Sequence, residues 1–274
     1  PTHGVESKNA AVRGSESQGM MCSARELGLG EDHAGIIELP LDAATGTSIV
    51  DVLGLGDPVL DLNITANRGD CLSVYGIARD LAAAGLGQLK PLCVPEITTT
   101  SECPVAVTIT DTGGCPAFIG RVIRGVRNGT SPEWLQRTLT AAGMRPISAL
   151  VDITNYFTLA FGRPLHVYDL AKLQGNLTVR TATEGESLLA LNEKTYALSP
   201  RDCVIADEAG AVGIAGIMGG SRTAVDAGTT DILLECAWFT PERIAKSGRA
   251  LHLESDARQR FERGVDSGFL ELAD

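Results

Sequence analysis

The stretch Met144-Arg-Pro-Ile-Ser-Ala-Leu-Val-Asp-Ile-Thr-Asn-Tyr-Phe-Thr-Leu-Ala-Phe-Gly-Arg-Pro-Leu-His-Val-Tyr-Asp169 places an apolar run between two turns that contain proline. A residue before proline is pushed out of the helical region, so Arg145 marks the start of the run. Gly162, with Pro164 just beyond it, marks its C-terminal end. We therefore predict a short helix and then a sharp corner that presents His166 beside the helix end.

The run also carries two polar residues that suit the lining of a cleft, Asn155 and His166. Taken alone, they favour a structural role, with Asn155 as a cap and His166 bonded to the backbone. A role in ligand binding stays open. The spacing of four further residues predicts the buried face of the helix: Val151, Tyr156, Leu159 and Ala160.

Composition places the chain among ordinary globular proteins. It has 274 residues, of which 44% are hydrophobic and 21% charged. The length favours two domains, although one large α/β domain stays possible. No apolar run is long enough to cross a bilayer, and the N-terminus lacks the basic-then-apolar pattern of a signal peptide. We therefore expect a cytoplasmic protein that has no membrane partner.

Cysteine content and net charge limit the possible ligands. The seven cysteines are scattered and form no CxxC or paired Cys/His pattern, so we expect reduced thiols and no metal site. The net charge of −11 argues against a strong nucleic-acid clamp in this chain alone, because neutralising phosphates requires clustered Lys and Arg. Another part of a larger assembly could still deliver a nucleic-acid end.

The chain divides into three predicted segments. Residues 1–56 read as short strands and tight turns, too incomplete to bury a core of their own. Residues 57–95 predict an alternating strand, Asp61–Thr65, and a helix that ends at Gly85. Residues 96–274 predict a β-rich, mostly antiparallel module with flanking helices. The fold class is therefore α+β.

Within the last segment, Ser131 is expected to cap a helix that has Pro132 at its first position and Gly143 past its end. Further helices are predicted to open at Pro241 and Ser255. The strand candidates are Val105–Thr110, Ala117–Val126, Leu177–Thr181, Ser187–Leu191, Cys203–Ala206, Val212–Ile217 and Ile232–Phe239.

Two features of this segment could carry function. The glycines of Gly213–Gly220 interrupt an apolar strand and do not open a helix, which argues against a dinucleotide loop. They indicate close approach of the backbone to a ligand or to a neighbouring strand, and both stay open. Glu235 lies in an apolar run, where a carboxylate either faces solvent at a strand end or is buried and needs a donor. A buried acceptor suits recognition of a ligand hydroxyl, although the run alone favours a structural role.

Ordered motifs add a family resemblance that covers nearly the whole chain. The motifs are Glu-Ser-Gln-Gly-Met-Met-Cys-Ser (16–23), Glu-Leu-Gly-Leu (26–29), Ile-Thr-Ala-Asn-Arg-Gly-Asp-Cys-Leu-Ser (64–73), the run 145–169, Gly-Ile-Met-Gly-Gly (216–220), Leu-Leu-Glu-Cys-Ala-Trp-Phe (233–239) and Arg-Phe-Glu-Arg-Gly-Val-Asp (260–266). In this order they resemble the beta subunit of bacterial phenylalanyl-tRNA synthetase. The resemblance covers only part of that longer subunit: the tail of its tRNA-binding OB-fold (1–56), a small helical piece (57–95) and its editing module (96–274).

The resemblance implies editing, in which tyrosine wrongly esterified to tRNA(Phe) is hydrolysed. A pocket shaped for phenylalanine cannot strongly reject the same ring with one added hydroxyl, so a second site must inspect the product. The aminoacylation site of the family lies in the alpha subunit, so ATP and Mg²⁺ are not expected to bind to this fragment. The implied partners are tRNA(Phe), the alpha subunit and a second beta subunit.

The resemblance also assigns residues, with Glu235 accepting the hydroxyl of the tyrosine. The implied catalytic candidates are Thr154, Asn155 and His166, around the polar end of the amino acid. The other implied pocket residues are Ala215, Gly216, Ser255 and Ala257. Ser255 stands where the family usually has Thr, and Glu254 and Arg258 also depart from its common pattern.

The expected mechanism uses a bound water, because no Ser–His–Asp set or metal cluster is visible in the sequence. The terminal ribose hydroxyl of the tRNA would orient this water, and His166 would position the water or the ester carbonyl. Two alternatives stay open: a scaffold without hydrolytic activity that binds tRNA or the alpha subunit, and a free-standing relative of the editing module. The motifs between Glu16 and Ser73 argue against the second.

Overall fold

The computed structural model describes residues 10–12, 14–17, 19–29, 33–56 and 58–270. Residues 1–9 of the predicted OB-fold tail and residues 271–274 of the predicted editing module lie outside these ranges, as do Arg13, Gln18, residues 30–32 and Asp57. The chain forms two compact units, Pro1–Pro58 and Val59–Asp274. The three-segment division made from the sequence stays a prediction.

The first unit has little regular structure in its described residues. Strand β1 (Ala10–Val12) pairs antiparallel with β2 (Ser15–Ser17). The single-turn helix α1 (Ile49–Val52) is capped by Ser48, whose hydroxyl accepts a hydrogen bond of 3.2 Å from the Val50 N–H. Turns connect these pieces, and the assignment to an OB-fold stays a prediction.

The second unit contains the remaining elements. Its described strands are β3 (Val107–Ile109), β4 (Ala117–Arg124), β5 (His166–Asp169), β6 (Leu177–Thr181), β7 (Ser187–Leu189), β8 (Thr195–Ala197), β9 (Cys203–Asp207), β10 (Gly210–Ile214), β11 (Met218–Gly219) and β12 (Asp231–Trp238). Its α-helices are α2 (Val74–Ala83), α3 (Glu133–Ala141), α4 (Ala149–Phe161), α5 (Pro241–Leu251) and α6 (Asp256–Phe261). Single 3₁₀ turns occur at Gly69–Cys71, Leu170–Lys172, Ser221–Thr223 and Ser267–Phe269.

Two larger sheets organise this unit, and β7 and β8 form a separate antiparallel pair. The larger has the order β11-β10-β9-β6-β3 and is antiparallel except between β3 and β6, and the smaller has the antiparallel order β4-β12-β5. One main core joins the sheets, with Val179 and Val212 from the larger and Leu233 from the smaller. Phe239 and Phe261 extend the same core towards α5 and α6. The predicted α+β class with mostly antiparallel pairing is confirmed.

Helix α4 and the corner after it form where the sequence predicts them. Gly162 adopts the left-handed conformation, with φ of 68°, and closes the helix through its N–H bond to the Thr158 carbonyl at 3.1 Å. Four residues later the chain enters β5, a strand that the sequence did not predict. His166 is therefore the first residue of a strand as well as a corner residue.

The predicted buried face of α4 is wrong. Val151, Tyr156, Leu159 and Ala160 are only half-buried, and the buried residues are Leu150, Asp152, Thr154 and Thr158. Polar residues can occupy this face because each finds a partner there. The Thr158 hydroxyl donates to the Thr154 carbonyl at 2.9 Å, and Asp152 accepts the Ile147 N–H at 2.8 Å.

Two further local predictions are wrong. Ser131 does not cap α3, because its hydroxyl donates to Asp152 and Pro132 occupies the N-cap position. Asp61–Thr65 is not a strand: it has no described pairing partner, and its side chains are mostly exposed. Alternation alone does not make a strand when no neighbouring strand accepts its backbone hydrogen bonds.

Arg163 ties the corner after α4 to the rest of the unit. The residue is fully buried, and its guanidinium donates to the Ala237 carbonyl at 3.0 Å and to the Asp266 carbonyl. Ala237 lies on β12 beyond the last residue that pairs with β5, so its carbonyl has no partner among the described strands on that side. Arg163 supplies the missing donor and thereby fixes the chain three residues before His166.

Replacing Arg163 with Met should lower the free energy of unfolding by about 2–3 kcal/mol, because the buried Ala237 carbonyl and the partly buried Asp266 carbonyl lose their donors. The matched control is Arg137→Met, which removes an exposed helix pair with Glu133 and should change stability by less than about 0.5 kcal/mol. Urea unfolding curves measure both. Equal midpoints for the two variants would contradict the anchoring role of Arg163.

Candidate functional site

A cavity of about 410 Å³ lies in the second unit and collects most of the predicted site residues. It is bordered by α4, by β5 and β12 of the smaller sheet, by the β10–β11 region and by the start of α6. The predicted residues in its lining are Thr154, Asn155, His166, Gly216, Glu235, Ser255 and Ala257. Ala215 is the exception: it is buried in the main core and does not line the cavity.

Strand register places Glu235 and His166 side by side. Glu235 on β12 pairs directly with His166 on β5 and, on its other side, with Gly120 on β4. Residues directly opposite each other in an antiparallel sheet project from the same face. Tyr168 follows His166 by two residues, so it projects from that face as well. The three side chains therefore meet in one wall of the cavity.

Glu235 is a buried carboxyl group with a single hydrogen bond among the described residues. Its side chain is only 6% exposed, and the Tyr168 hydroxyl donates to its Oε2. Burial raises the pKa of Glu235 to about 7, although the hydrogen bond from Tyr168 lowers it in part. The second oxygen, Oε1, has no partner among the described residues. Near neutral pH this carboxyl is therefore poised between its two protonation states.

His166 presents a buried nitrogen that no described residue satisfies. The residue is half-buried as a whole, but its Nε2 is inaccessible to water and has no partner in the described part of the chain. Burial lowers the pKa of His166 to about 4, so the imidazole is neutral at pH 7. Its ring packs edge-on against that of Tyr168, with centroids 4.5 Å apart.

Gly219 makes room for this imidazole. A Cβ atom at position 219 would lie 2.4 Å from Cε1 and 2.7 Å from Nε2 of His166. The sequence left open whether Gly213–Gly220 approaches a ligand or a neighbouring strand. The backbone of Gly219 packs against the side chain of His166, which lines the cavity. Gly213 instead pairs with Gly219 in the adjacent strand.

Thr154 and Asn155 line the cavity from α4. The Thr154 hydroxyl donates to the Val151 carbonyl at 2.7 Å, so its proton is engaged while its oxygen can still accept. Asn155 is half-buried, and its amide forms no side-chain hydrogen bond within the described residues. It can therefore offer both a donor and an acceptor to a ligand.

Ser255 lies at the edge of the cavity and organises it. Its oxygen accepts the Arg258 N–H at 3.0 Å as the cap of α6, and its hydroxyl donates to the Ile217 carbonyl at 2.7 Å. Glu254 and Arg258, the two neighbouring residues at which the resemblance departs from the family pattern, form ion pairs. Buried Arg258 contacts Glu254 at 2.7 Å and Glu262 at 3.0 Å. Ser255 thus joins α6 to the β10–β11 turn, and its proton is unavailable to a ligand.

Sequence reasoning missed Tyr168 and Gly219. An alternation signal for Tyr168 was present, because His166, Val167 and Tyr168 repeat polar–apolar–polar in a buried stretch. The four-residue run was too short to be recognised as a strand, and its partner, β12, lies more than sixty residues away in the sequence. For Gly219 the glycines of Gly213–Gly220 indicated a close approach of the backbone, but they could not identify His166 as its neighbour, since only the tertiary fold brings the two together.

A second, larger depression of about 690 Å³ lies elsewhere in the unit and is a weaker candidate. Its main charged groups already satisfy each other: Arg180 binds Glu186 at 2.7 Å, and Arg222 binds Asp207 at 2.6 Å. No described group of three or more His, Cys, Asp or Glu residues is arranged to hold a metal ion. No helix of the described ranges has the length and apolar character needed to cross a bilayer.

Comparison with known families bears directly on the unit that holds the cavity. The family described as the B3/4 domain matches residues 114–273, which include every residue of the cavity lining. The chain belongs to the B3/4 domain family. The predicted resemblance is confirmed by the relatives of the whole chain described next.

Curated relatives named phenylalanine–tRNA ligase beta subunit align with nearly the whole chain. The protein of Novosphingobium aromaticivorans is 62% identical over 271 residues, which are 99% of this chain and 34% of the relative. That of Zymomonas mobilis is 54% identical over 266 residues, covering 97% of this chain and 34% of the relative. The chain thus spans about a third of the length of these relatives.

One solved structure is also similar, a crystal structure of an N-terminal fragment of the phenylalanyl-tRNA synthetase beta subunit from Pyrococcus horikoshii. It covers 63% of this chain and 53% of its own, with 15% identity and a TM-score of 0.41. A similarity at this level carries no argument about the site.

The raised pKa of Glu235 should make stability depend on pH. The folded state keeps the proton up to a pH of about 7, whereas the unfolded chain loses it near 4.5. Stability therefore falls as the pH rises between these values and does not recover above them. Glu235→Gln cannot ionise, so relative to the parent it should gain about 2–3 kcal/mol of unfolding free energy between pH 5 and pH 8.

Urea unfolding of both proteins at the two pH values measures this gain. His166, whose lowered pKa acts in the opposite direction, is unchanged in the comparison and cancels. A difference between variant and parent that stays constant from pH 5 to pH 8 would show that folded Glu235 ionises as an ordinary carboxyl group does.

Proposed function

We propose that this chain is the editing part of a phenylalanine–tRNA ligase beta subunit and hydrolyses tyrosine from mischarged Tyr-tRNA(Phe). The observation that carries the proposal is the buried carboxyl of Glu235 in the wall of a cavity shared with His166, Thr154 and Asn155. The names of the relatives supply the substrate class. The whole-enzyme activity is proposed because the chain spans only a third of their length.

The dimensions of the cavity suit an aromatic amino acid. Its volume of about 410 Å³ falls within the range of small-molecule sites, roughly 300–1,000 Å³. Ile214, Met218 and Phe261 offer apolar contacts for a ring, while Asn155 and Thr154 lie on a different wall. A ring that points its para position at Glu235 would leave its amino acid backbone free to contact α4.

Discrimination follows from the hydrogen bonding of Glu235. The hydroxyl of tyrosine can donate to Oε1, which has no partner among the described residues. Phenylalanine would bury the same carboxyl without a second donor, at a cost of about 1–3 kcal/mol. A site built to bind a hydroxyl rejects the analogue that lacks it, so the correctly charged product is spared.

Hydrolysis is proposed to use a bound water as the nucleophile. The hydroxyl protons of Thr154 and Ser255 are engaged in hydrogen bonds to backbone carbonyls, so neither is poised as a protein nucleophile. A neutral imidazole has one donor and one acceptor nitrogen, so His166 can accept from the water or donate to the ester carbonyl. The terminal ribose hydroxyl of the tRNA would complete the orientation of the water.

The proposed partners follow from the same family. They are tRNA(Phe), the alpha subunit and a second beta subunit, in the cytoplasm. A net charge of −11 does not favour tight binding of tRNA by this chain alone, so most of the affinity is proposed to come from other parts of the enzyme. ATP and Mg²⁺ are proposed to bind at the aminoacylation site, and no step described for this cavity uses them.

The deciding experiment measures tyrosine release from Tyr-tRNA(Phe) by the intact enzyme. Glu235→Ala should lower kcat/KM about 10- to 100-fold, because the phenol loses its acceptor. His166→Ala should lower the rate about 100-fold, because the water or carbonyl loses its positioning group. Aminoacylation of tRNA(Phe) should be unchanged in both.

Glu242→Ala is the matched control, since this glutamate is exposed on α5 and makes only a weak pair with Lys246. If both Glu235→Ala and His166→Ala release tyrosine as fast as the parent, the site assignment is refuted. A parent enzyme that releases no tyrosine above the spontaneous rate would favour the scaffold alternative instead.

A further inference from the structure

Tyr168 is the nearest polar neighbour of Glu235 and has no role in the mechanism so far. It is 1% exposed, and its hydroxyl donates to Oε2 of Glu235. The cavity thus already contains a phenol bonded to the carboxyl that is proposed to recognise a phenol. A hydroxyl group in the core is normally hydrogen-bonded. Packing alone does not require that its partner be the carboxyl group proposed to recognise the substrate.

We propose that Tyr168 is a specificity-determining residue: its hydroxyl holds one oxygen of Glu235 and presents the other, Oε1, to the para-hydroxyl of a bound ring. The inference rests on the proposed function, because it explains how the editing cavity distinguishes tyrosine from phenylalanine. It concerns a residue that positions the recognition group, and Tyr168 itself takes no part in bond breaking.

The hydrogen bond from Tyr168 orients the carboxyl group of Glu235. A glutamate side chain has three rotatable bonds, and a carboxyl group that is free to rotate offers its acceptors in many directions. The bond from Tyr168 fixes the rotation of the Glu235 carboxyl, so Oε1 has a defined direction. Tyr168 is itself held by β5, by its edge-on contact with His166 and by the main core.

Tyr168 also affects the protonation of Glu235. Burial, together with the charge of Glu235, raises the pKa of Tyr168, so its hydroxyl remains a donor throughout the physiological range. A permanent donor stabilises the ionised carboxylate, and the pKa of Glu235 would lie higher without it. Tyr168 therefore increases the fraction of Glu235 that is a pure acceptor at neutral pH, which is the state that selects a hydroxyl.

Other ionisable groups around the carboxyl do not replace this donor. His166 is neutral at pH 7 because burial lowers its pKa, and the Cys115 thiol stays protonated because burial raises its pKa. At the other side of the cavity, Glu254 and Asp256 are paired with Arg258 and Arg260. On the β4 side the residue opposite Glu235 is Gly120, which has no side chain.

A competing role predicts the opposite effect. The Tyr168 hydroxyl could instead occupy the Glu235 oxygen that a substrate hydroxyl needs. It would then satisfy Glu235 when phenylalanine is bound and weaken the discrimination between tyrosine and phenylalanine. Removing the hydroxyl would then improve the preference for tyrosine. The two roles are therefore separated by the direction of one change.

The test is Tyr168→Phe in the intact enzyme, with kcat/KM measured for Tyr-tRNA(Phe) and Phe-tRNA(Phe) hydrolysis between pH 6 and 9. The preference for tyrosine should fall about tenfold at pH 7, because a hydrogen bond to a charged group is lost. The inflection of the tyrosine profile should move upward by about one pH unit, as the pKa of Glu235 rises. A purely structural role would not move this inflection.

Tyr75→Phe is the matched control. Its ring packs against Phe161 and Phe269, with centroids 6.2 and 6.1 Å apart, and it does not line the cavity. This control should keep both the preference and the inflection. A cooperative urea unfolding transition like that of the parent verifies that Tyr168→Phe has folded.

The outcomes separate the two proposals. If the parent enzyme edits but Tyr168→Phe keeps the preference and the inflection of the parent, the proposed role of Tyr168 alone is overturned. A gain in preference for tyrosine by this variant would overturn it as well. A parent that does not release tyrosine would overturn the proposed function and this inference with it.

Discussion

The site depends on one buried carboxyl group that has one internal donor. Glu235 lies in the middle of β12, and its only hydrogen bond among the described residues comes from Tyr168 on the adjacent strand. Burial would disfavour the charge strongly if no donor were present, and a second internal donor would leave nothing for a ligand to supply. With one donor the pKa of Glu235 is about 7, so a hydrogen bond from a ligand hydroxyl can shift the protonation equilibrium of the carboxyl towards its charged form.

The fold holds this arrangement by strand register and by anchors outside the cavity. The pairing of β5 with β12 sets His166 opposite Glu235, and a slip by one residue would turn both His166 and Tyr168 to the other face. Arg163 fixes the chain that enters β5, and Ser255 joins α6 to the β10–β11 turn on the opposite wall. None of these contacts requires the ligand, so the cavity is formed before anything binds.

Much of this could be predicted from the sequence, and the failures have physical causes. Glycine and proline signals gave α4 and its end at Gly162, and apolar runs gave β6 and β12, because these depend on local conformation. The polar buried face of α4 could not be predicted, since Asp152 is buried only because Ser131 and the Ile147 backbone meet it in the fold. The family resemblance located the cavity residues, except that Ala215 lies in the core. The Tyr168 contact depends on register across distant strands, which local patterns do not contain.

The most direct test of the account is the titration of Glu235 by NMR, with ¹³C-labelled glutamate and Glu235→Gln for assignment. The titration is repeated with p-cresol and with toluene, which differ only in the para-hydroxyl. In the free protein we expect Glu235 to have a pKa near 7. The pKa should fall by about one unit with p-cresol and stay unchanged with toluene, because a phenol donates to the ionised carboxylate. A pKa near 4.5 in the free protein, or equal shifts with both compounds, would contradict this expectation.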